Sequence, residues 1–263
     1  MLHGLIERLR QKKRTAAYPG KPPVLPERFR GLPLIAEAAC QTGSCGKACA
    51  SACPTGAIQT HDNGLSLDLG LCIFCAACAS ACPHAAISFS REYRLAGTSR
   101  EHLVIRAGRC GQAEDNPGDI PLLVPLDRKL RSMFSRSLKL REISAAGCNA
   151  CEADCNALGN ILFDVQRFGI DFVASPRHAD ALLITGPLPK NMRLAVQKCH
   201  AAAPNPKIII AAGTCAISGG LFRNLSGQGK GVPELFKPDL YIPGCPPHPF
   251  TILDGLLRLL GRI

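Results

Sequence analysis

The 263-residue chain has no tryptophan, three tyrosines and three methionines, and aromatics make up only 5% of it. A hydrophobic share of 46% still permits a packed core, which aliphatic side chains must supply for the most part. No apolar run approaches the roughly 20 residues that a membrane-spanning helix needs. The first 14 residues lack the unbroken apolar stretch of a secretory signal, because Glu7, Arg8 and Arg10 interrupt Leu2, Leu5, Ile6 and Leu9. The stretch Gly227-Gln-Gly-Lys-Gly231 lacks the G-x-G-x-x-G spacing after a strand, so no nucleotide site is expected. No Ser–His–Asp order or paired-carboxylate motif stands out, so the chain is expected to be non-catalytic.

What it has in excess is cysteine, 15 residues. In a secreted chain that number would imply a disulfide scaffold; in the reducing cytoplasm expected here it implies metal or redox chemistry. Basic residues also exceed acidic ones, 31 to 20, for a net charge of +11. Such an excess first suggests nucleic acid. However, a 4Fe–4S cluster on four thiolates carries about −2, so three clusters would bring the balance to roughly +5. The basic excess then reads mainly as charge compensation.

Four segments follow from texture. Residues 1–34 combine a helical spacing of Leu2, Leu5, Ile6 and Leu9 with an extended arm rich in proline (Pro19, Pro22, Pro23, Pro26, Pro33). The helix would lie against a partner or a membrane surface. Residues 35–95 hold eight cysteines in two similar halves, with Cys53-Pro-Thr-Gly-Ala-Ile58 answered by Cys82-Pro-His-Ala-Ala-Ile87. Residues 96–137, which include the loop-like Gly111-Gln-Ala-Glu-Asp-Asn-Pro-Gly118, read as a connector. In residues 138–263, an alternating run at Leu138–Ile143 precedes two apolar runs, Ala181–Thr185 and Lys207–Ala212, each ending at glycine. Lys190–Ala203 and Thr251–Leu260 read as helices, which gives the strand–loop–helix alternation of a doubly wound α/β domain.

The second half of the repeat reads Cys72-x2-Cys75-x2-Cys78-x3-Cys82-Pro83, the bacterial ferredoxin run. A short loop wraps three corners of a cube, and the fourth thiolate goes to the other cluster. The small neighbours Ala76, Ala77, Ala79 and Ala81 let the backbone come close. The first half, Cys40-x4-Cys45-x3-Cys49-x3-Cys53-Pro54, has wider early gaps. Cys40, Cys45, Cys49 and Cys82 are expected to hold the first cluster, and Cys53, Cys72, Cys75 and Cys78 the second. Cys40 is the weakest ligand, and without it the first site would be a three-iron or exchangeable one. In the last segment, Cys148-x2-Cys151, Cys215 and Cys245 fall at predicted strand ends and form a third four-thiolate set, for which spacing alone leaves iron–sulfur and zinc open. Cys110, Cys155 and Cys199 are left over as free thiols. Glu152 could face a partner, and His248 reads as a loop histidine.

Several stretches carry a resemblance. Cys148-Asn-Ala-Cys-Glu152, Pro176–Gly186, Ala212–Gly220 and Pro243-Gly-Cys-Pro-Pro247 resemble the small subunit of membrane-bound (group 4) NiFe hydrogenases, a family related to the 20 kDa NADH-quinone oxidoreductase (complex I) subunit that carries the terminal cluster. Tyr18-Pro19, Arg28-Phe-Arg-Gly31 and Leu71-Cys-Ile-Phe-Cys75 through Arg91-Glu-Tyr93 are similar to the two-cluster ferredoxin-like subunit of formate hydrogenlyases and complex I. The resemblance implies a fusion of an α+β ferredoxin-like two-cluster domain with an α/β, flavodoxin-like parallel-sheet domain. It implies three 4Fe–4S clusters, with Cys148, Cys151, Cys215 and Cys245 holding the one nearest a large catalytic subunit. The C-x2-C spacing at Cys148, where complex I proteins have adjacent cysteines, favours the hydrogenase branch.

The expected function is electron relay to or from the large catalytic subunit of a membrane-bound NiFe hydrogenase or formate hydrogenlyase-type complex. Partners would be that subunit and others of the complex, with no nucleic acid and no small-molecule substrate of its own. The chain would sit peripherally on the cytoplasmic face of the membrane through those partners. The alternatives are the same architecture in a nickel-free, quinone-reducing complex and, remotely, a zinc-stabilised nucleic-acid-binding protein.

Overall fold

The computed structural model describes residues 2–36, 39–40, 45, 47–61, 64–106, 126, 132–134 and 137–263. The loop at 111–118 and Cys110 lie outside the described residues.

The chain opens with helix α1 (Leu2–Gln11). The proline-rich arm then crosses the later domain before any sheet begins. The Ala16 amide donates to the Leu162 carbonyl (2.9 Å), Arg167 donates to the carbonyls of Ala16 and Tyr18, and the Tyr18 hydroxyl donates to Asp254 Oδ1 at 2.6 Å. Asp254 also accepts from Arg258 Nε at 2.9 Å. A hydrogen bond of this kind, to a charged partner, contributes about 1.5–3 kcal/mol.

Two small antiparallel sheets follow. β1 (Pro33–Ile35) pairs with β4 (Ile87–Phe89). β2 (Ile58–His61), β3 (Gly64–Asp68) and β5 (Val104–Arg106) make a three-stranded sheet in that order. Short helices α2 (Ala48–Ser51) and α3 (Ala77–Ala81) carry the cysteine runs and pack on each other. β5 falls within the 96–137 span read as a connector. Its three residues are too short a run to announce a strand, and pairing with β3 is what orders them.

The last domain is a five-stranded parallel sheet of β6 (Leu138–Ser144), β7 (Ile170–Phe172), β8 (Ala181–Thr185), β9 (Ile208–Ala212) and β10 (Leu240–Ile242), in spatial order β7-β6-β8-β9-β10. Counted within the domain this is 2-1-3-4-5, the flavodoxin-like doubly wound order. β8 and β9 are buried at every residue, as expected for parallel strands covered on both faces. Helices α4 (Ala150–Ala157), α5 (Lys190–Ala202), α6 (Thr214–Ser218) and α7 (Pro249–Leu259) complete it. α7 is buried along nearly its whole length, which its leucine content requires.

Alternation along the strands sends the two faces of this sheet into two cores. Ala181, Leu183, Ile208, Ile210 and Leu240 pack with α7 and Tyr18. Leu182, Ile184, Ile209, Ala211 and Tyr241 share a core with Leu32, Ile58, Leu67, Leu69, Cys72 and Ile87 of the cysteine-rich module. The two modules are therefore packed through one continuous apolar core. Hydrogen bonds seal the seam: Thr214 Oγ1 donates to the Cys72 carbonyl (2.8 Å) and Ser218 Oγ to the Gly70 carbonyl (2.7 Å).

Candidate metal centres

Each cysteine run uses the same backbone device. Lys47, Ala76 and Asn149 adopt left-handed conformations, with φ of 60°, 64° and 70°, immediately before α2, α3 and α4. A cysteine then stands at the second helical position each time: Cys49, Cys78 and Cys151. Left-handed backbone is unfavourable for residues with a side chain, so three repetitions mark a shared local requirement. The preceding loop is turned sharply so that neighbouring thiols converge.

The two halves of the repeat match further. The Ala57 amide donates to Cys53 Sγ at 3.2 Å and the Ala86 amide to Cys82 Sγ at 3.3 Å, in both cases four residues on. Gly56 and Ala85 both take positive φ, 65° and 48°. The wider early gaps of the first half thus leave the turn after Cys53 like the turn after Cys82.

Thiols from separate parts of the chain come near one another. Cys40 has the thiols of Cys49, Cys45 and Cys82 as neighbours, and burial first, then these neighbours, push its own thiol up. Cys53, Cys72, Cys75 and Cys78 line one cavity walled by Ile58, Leu67 and Phe89. Burial, opposed by the Phe74 amide, raises the Cys72 thiol to about 12, and burial raises Cys78 to about 11. Cys151 faces Cys215, Cys245 and Cys148; burial is the main cause that raises it, and it brings Cys215 up to about 11. Burial of uncompensated thiols at this density suits ligands, whose protons a metal displaces. A single tetrahedral ion with 2.3 Å bonds would need its sulfurs about 3.8 Å apart. Among the described residues no three metal-ligating side chains stand close enough to share one ion.

The third quartet sits where the topology predicts a ligand. Cys148 and Cys151 follow the carboxyl end of β6, beside β8, at the point where strand order reverses; Cys215 and Cys245 follow β9 and β10. Gly213, at φ 89°, lies so close to Cys151 that a Cβ there would stand 2.5 Å from its Sγ. Room has been kept beside the sulfur.

Glu152 is buried and accepts from Ser144 Oγ (2.8 Å) and from Thr185 Oγ1 (2.6 Å), so it points into the domain. Cys155, one turn past Cys151, is fully buried among apolar side chains. His248 accepts at Nδ1 from the Phe250 amide (3.2 Å) and caps α7. Sequence reasoning passed over Arg30, whose Nη1 donates to the Phe74 carbonyl at 3.2 Å, inside the second cysteine loop.

Glu142 on β6 is a half-buried acid outside the quartets. Burial and the neighbouring Glu152 push its carboxyl up to about 7, and its Oε1 has no partner among the described residues. An acid with a raised folded pKa is penalised once the unfolded chain ionises, so stability falls as pH rises from about 4.5 to about 7 and then stays low. Glu142→Gln should therefore leave the urea midpoint little changed at about pH 5 and raise it at about pH 8, as read by circular dichroism.

These features define an iron–sulfur protein in which a ferredoxin-like module is joined to a parallel α/β domain. Residues 148–259 match the family described as NADH ubiquinone oxidoreductase, 20 Kd subunit, and residues 65–88 match the 4Fe-4S binding domain. Formate hydrogenlyase subunit 7 of Escherichia coli is 40% identical over 151 residues, 55% of this chain and 59% of that protein. A probable membrane-bound hydrogenase subunit, mbhJ, of Pyrococcus furiosus is 33% identical over 135 residues, 51% of this chain and 81% of that protein. An NADH-quinone oxidoreductase subunit of Citrifermentans bemidjiense is 42% identical over 117 residues, 44% of this chain and 68% of that protein. The chain belongs to the NADH ubiquinone oxidoreductase 20 Kd subunit family and carries a 4Fe–4S binding domain in the same polypeptide.

Proposed function

We propose that this chain is the electron-transfer subunit of a membrane-bound hydrogenase of the formate hydrogenlyase type, with three 4Fe–4S clusters. Cys40, Cys45, Cys49 and Cys82 would hold the first; Cys53, Cys72, Cys75 and Cys78 the second; Cys148, Cys151, Cys215 and Cys245 the third. When bound, such clusters supply one-electron carriers whose potentials depend on burial and hydrogen bonding. The rest is done by the chain. Amides of Ala57, Phe74 and Ala86 donate to ligand sulfurs, which stabilises thiolate charge. Ile58, Leu67 and Phe89 wall the apolar side of the second quartet, whose Cys75 is exposed. Cys148 and Cys245, both exposed, give the third quartet an open side toward a large catalytic subunit.

The observation that carries this reading is the single cavity that has Cys75 of the second quartet and Cys245 of the third on its walls. A cavity shared by cysteines of both modules supports a relay that runs from one to the other. The identity to the NADH-quinone oxidoreductase subunit of Citrifermentans bemidjiense favours a second reading, the same relay in a nickel-free quinone-reducing complex.

Anaerobic purification of the full chain with iron and sulfide analysis tests the count: about twelve irons are expected, and about eight or four would remove one or two clusters from the reading. Zinc without visible absorption would overturn it. Nickel analysis of the complex co-purified with the tagged chain separates the first reading from the second.

A further inference from the structure

The arm segment Arg28-Phe29-Arg30 touches both of the loops that meet at the cavity between Cys75 and Cys245, a space of about 390 Å³. Arg30 donates to the Phe74 carbonyl at 3.2 Å. Phe74 is held at a positive φ of 55°, and its own amide donates to Cys72 Sγ at 3.3 Å. One peptide-flanked residue thus receives the arm at its carbonyl and serves a ligand sulfur at its amide. Phe29 meets the ring of His248 edge-on at 5.3 Å, three residues beyond Cys245. The segment is anchored immediately afterwards: a Cβ at Gly31 would stand 2.0 Å from the Glu92 carbonyl oxygen, and the Leu32 amide donates to that oxygen at 3.0 Å. Arg30 is therefore delivered from a fixed backbone. The other charged or titratable walls are Arg28, Asp154 and His248, besides the two thiols.

We propose that Arg30 is a positioning residue for the second quartet, which fixes the Phe74 carbonyl and sets a permanent positive charge between Cys75 and Cys245 so that the centre held by Cys53, Cys72, Cys75 and Cys78 is easier to reduce. The proposal rests on the reading that this quartet holds a 4Fe–4S cluster. Reduction adds one negative charge, and a guanidinium nearby stabilises the added charge by Coulomb attraction. The side chain is exposed, so the effect is screened by salt. None of the first quartet's thiols lies on this cavity, which makes that centre an internal control.

The test is a redox titration of the anaerobically purified full chain followed by EPR. Arg30→Gln should lower the midpoint of the second centre, lower that of the third by less, and leave the first in place. Arg30→Lys, which keeps the charge, should stay near wild type. The gap between wild type and Arg30→Gln should narrow as salt is raised. Unchanged midpoints in Arg30→Gln with all three signals intact would overturn the proposal and leave the relay reading standing. So would an equal shift at the first centre, or a shift in Arg30→Lys as large as in Arg30→Gln. Absence of the second signal from wild type overturns both. Should Arg30→Gln lose iron, Arg30→Met, which keeps the stem and removes the charge, is titrated in the same way with the same deciding outcomes.

Discussion

Replacing Cys53 with alanine is expected to erase the EPR signal of the centre built on Cys72, Cys75 and Cys78, although Cys53 belongs to the other half of the repeat. Cys82→Ala should instead remove the signal of the centre built on Cys40, Cys45 and Cys49. Each variant should lose about four irons of about twelve. The structure gives the reason. Cys53 lines the cavity of Cys72, Cys75 and Cys78, and the Cys82 thiol is a neighbour of Cys40 and Cys49. Amides of Ala57 and Ala86 hold the two crossing sulfurs in the same way, and Pro54 and Pro83 turn the chain away directly after them. If Cys53→Ala silenced the Cys40 centre and spared the other, the crossover would be wrong.

The second large effect is expected at Gly213→Ala. A methyl group there would stand 2.5 Å from Cys151 Sγ, and the residue's φ of 89° is one that side chains disfavour. The backbone cost alone is about 1–3 kcal/mol, because φ 89° with ψ 153° is a region open mainly to glycine. The third centre's signal should vanish, as it should in Cys215→Ser, while the ferredoxin-type pair remains. EPR of the reduced proteins reads both variants. Loss of all three signals in Cys215→Ser, the milder change, would mean that the third quartet supports the ferredoxin-like module through the Thr214–Cys72 and Ser218–Gly70 contacts.

Much of this was written in local pattern. The buried strands Ala181–Thr185 and Ile208–Ala212 and the helix Lys190–Ala202 were legible because long apolar runs and helical spacing have few competing readings. The ferredoxin run was legible because a loop around a cube permits few spacings. Other features had no local signal. β5 exists by pairing with β3, and three residues cannot announce a partner far away in sequence. The inward turn of Glu152 depends on Ser144 and Thr185, which come from two different strands. The part played by Arg30 depends on a carbonyl in a distant loop, and an arginine in a proline-rich arm looks like any solvated charge.

The sequence by itself determined the chemistry: fifteen cysteines, most of them in runs that spell two ferredoxin-type halves and a third, dispersed set. Thiolate spacing is a local property, and local properties are read along the chain. Only the tertiary structure decided how the sets are arranged. The order β7-β6-β8-β9-β10 sets the ends of β6, β9 and β10, each followed by cysteine, along one edge of the sheet. One continuous core presses the ferredoxin-like module against that sheet, and the arm crosses both. Distances between groups far apart in sequence follow from strand order and burial, which no run of residues records.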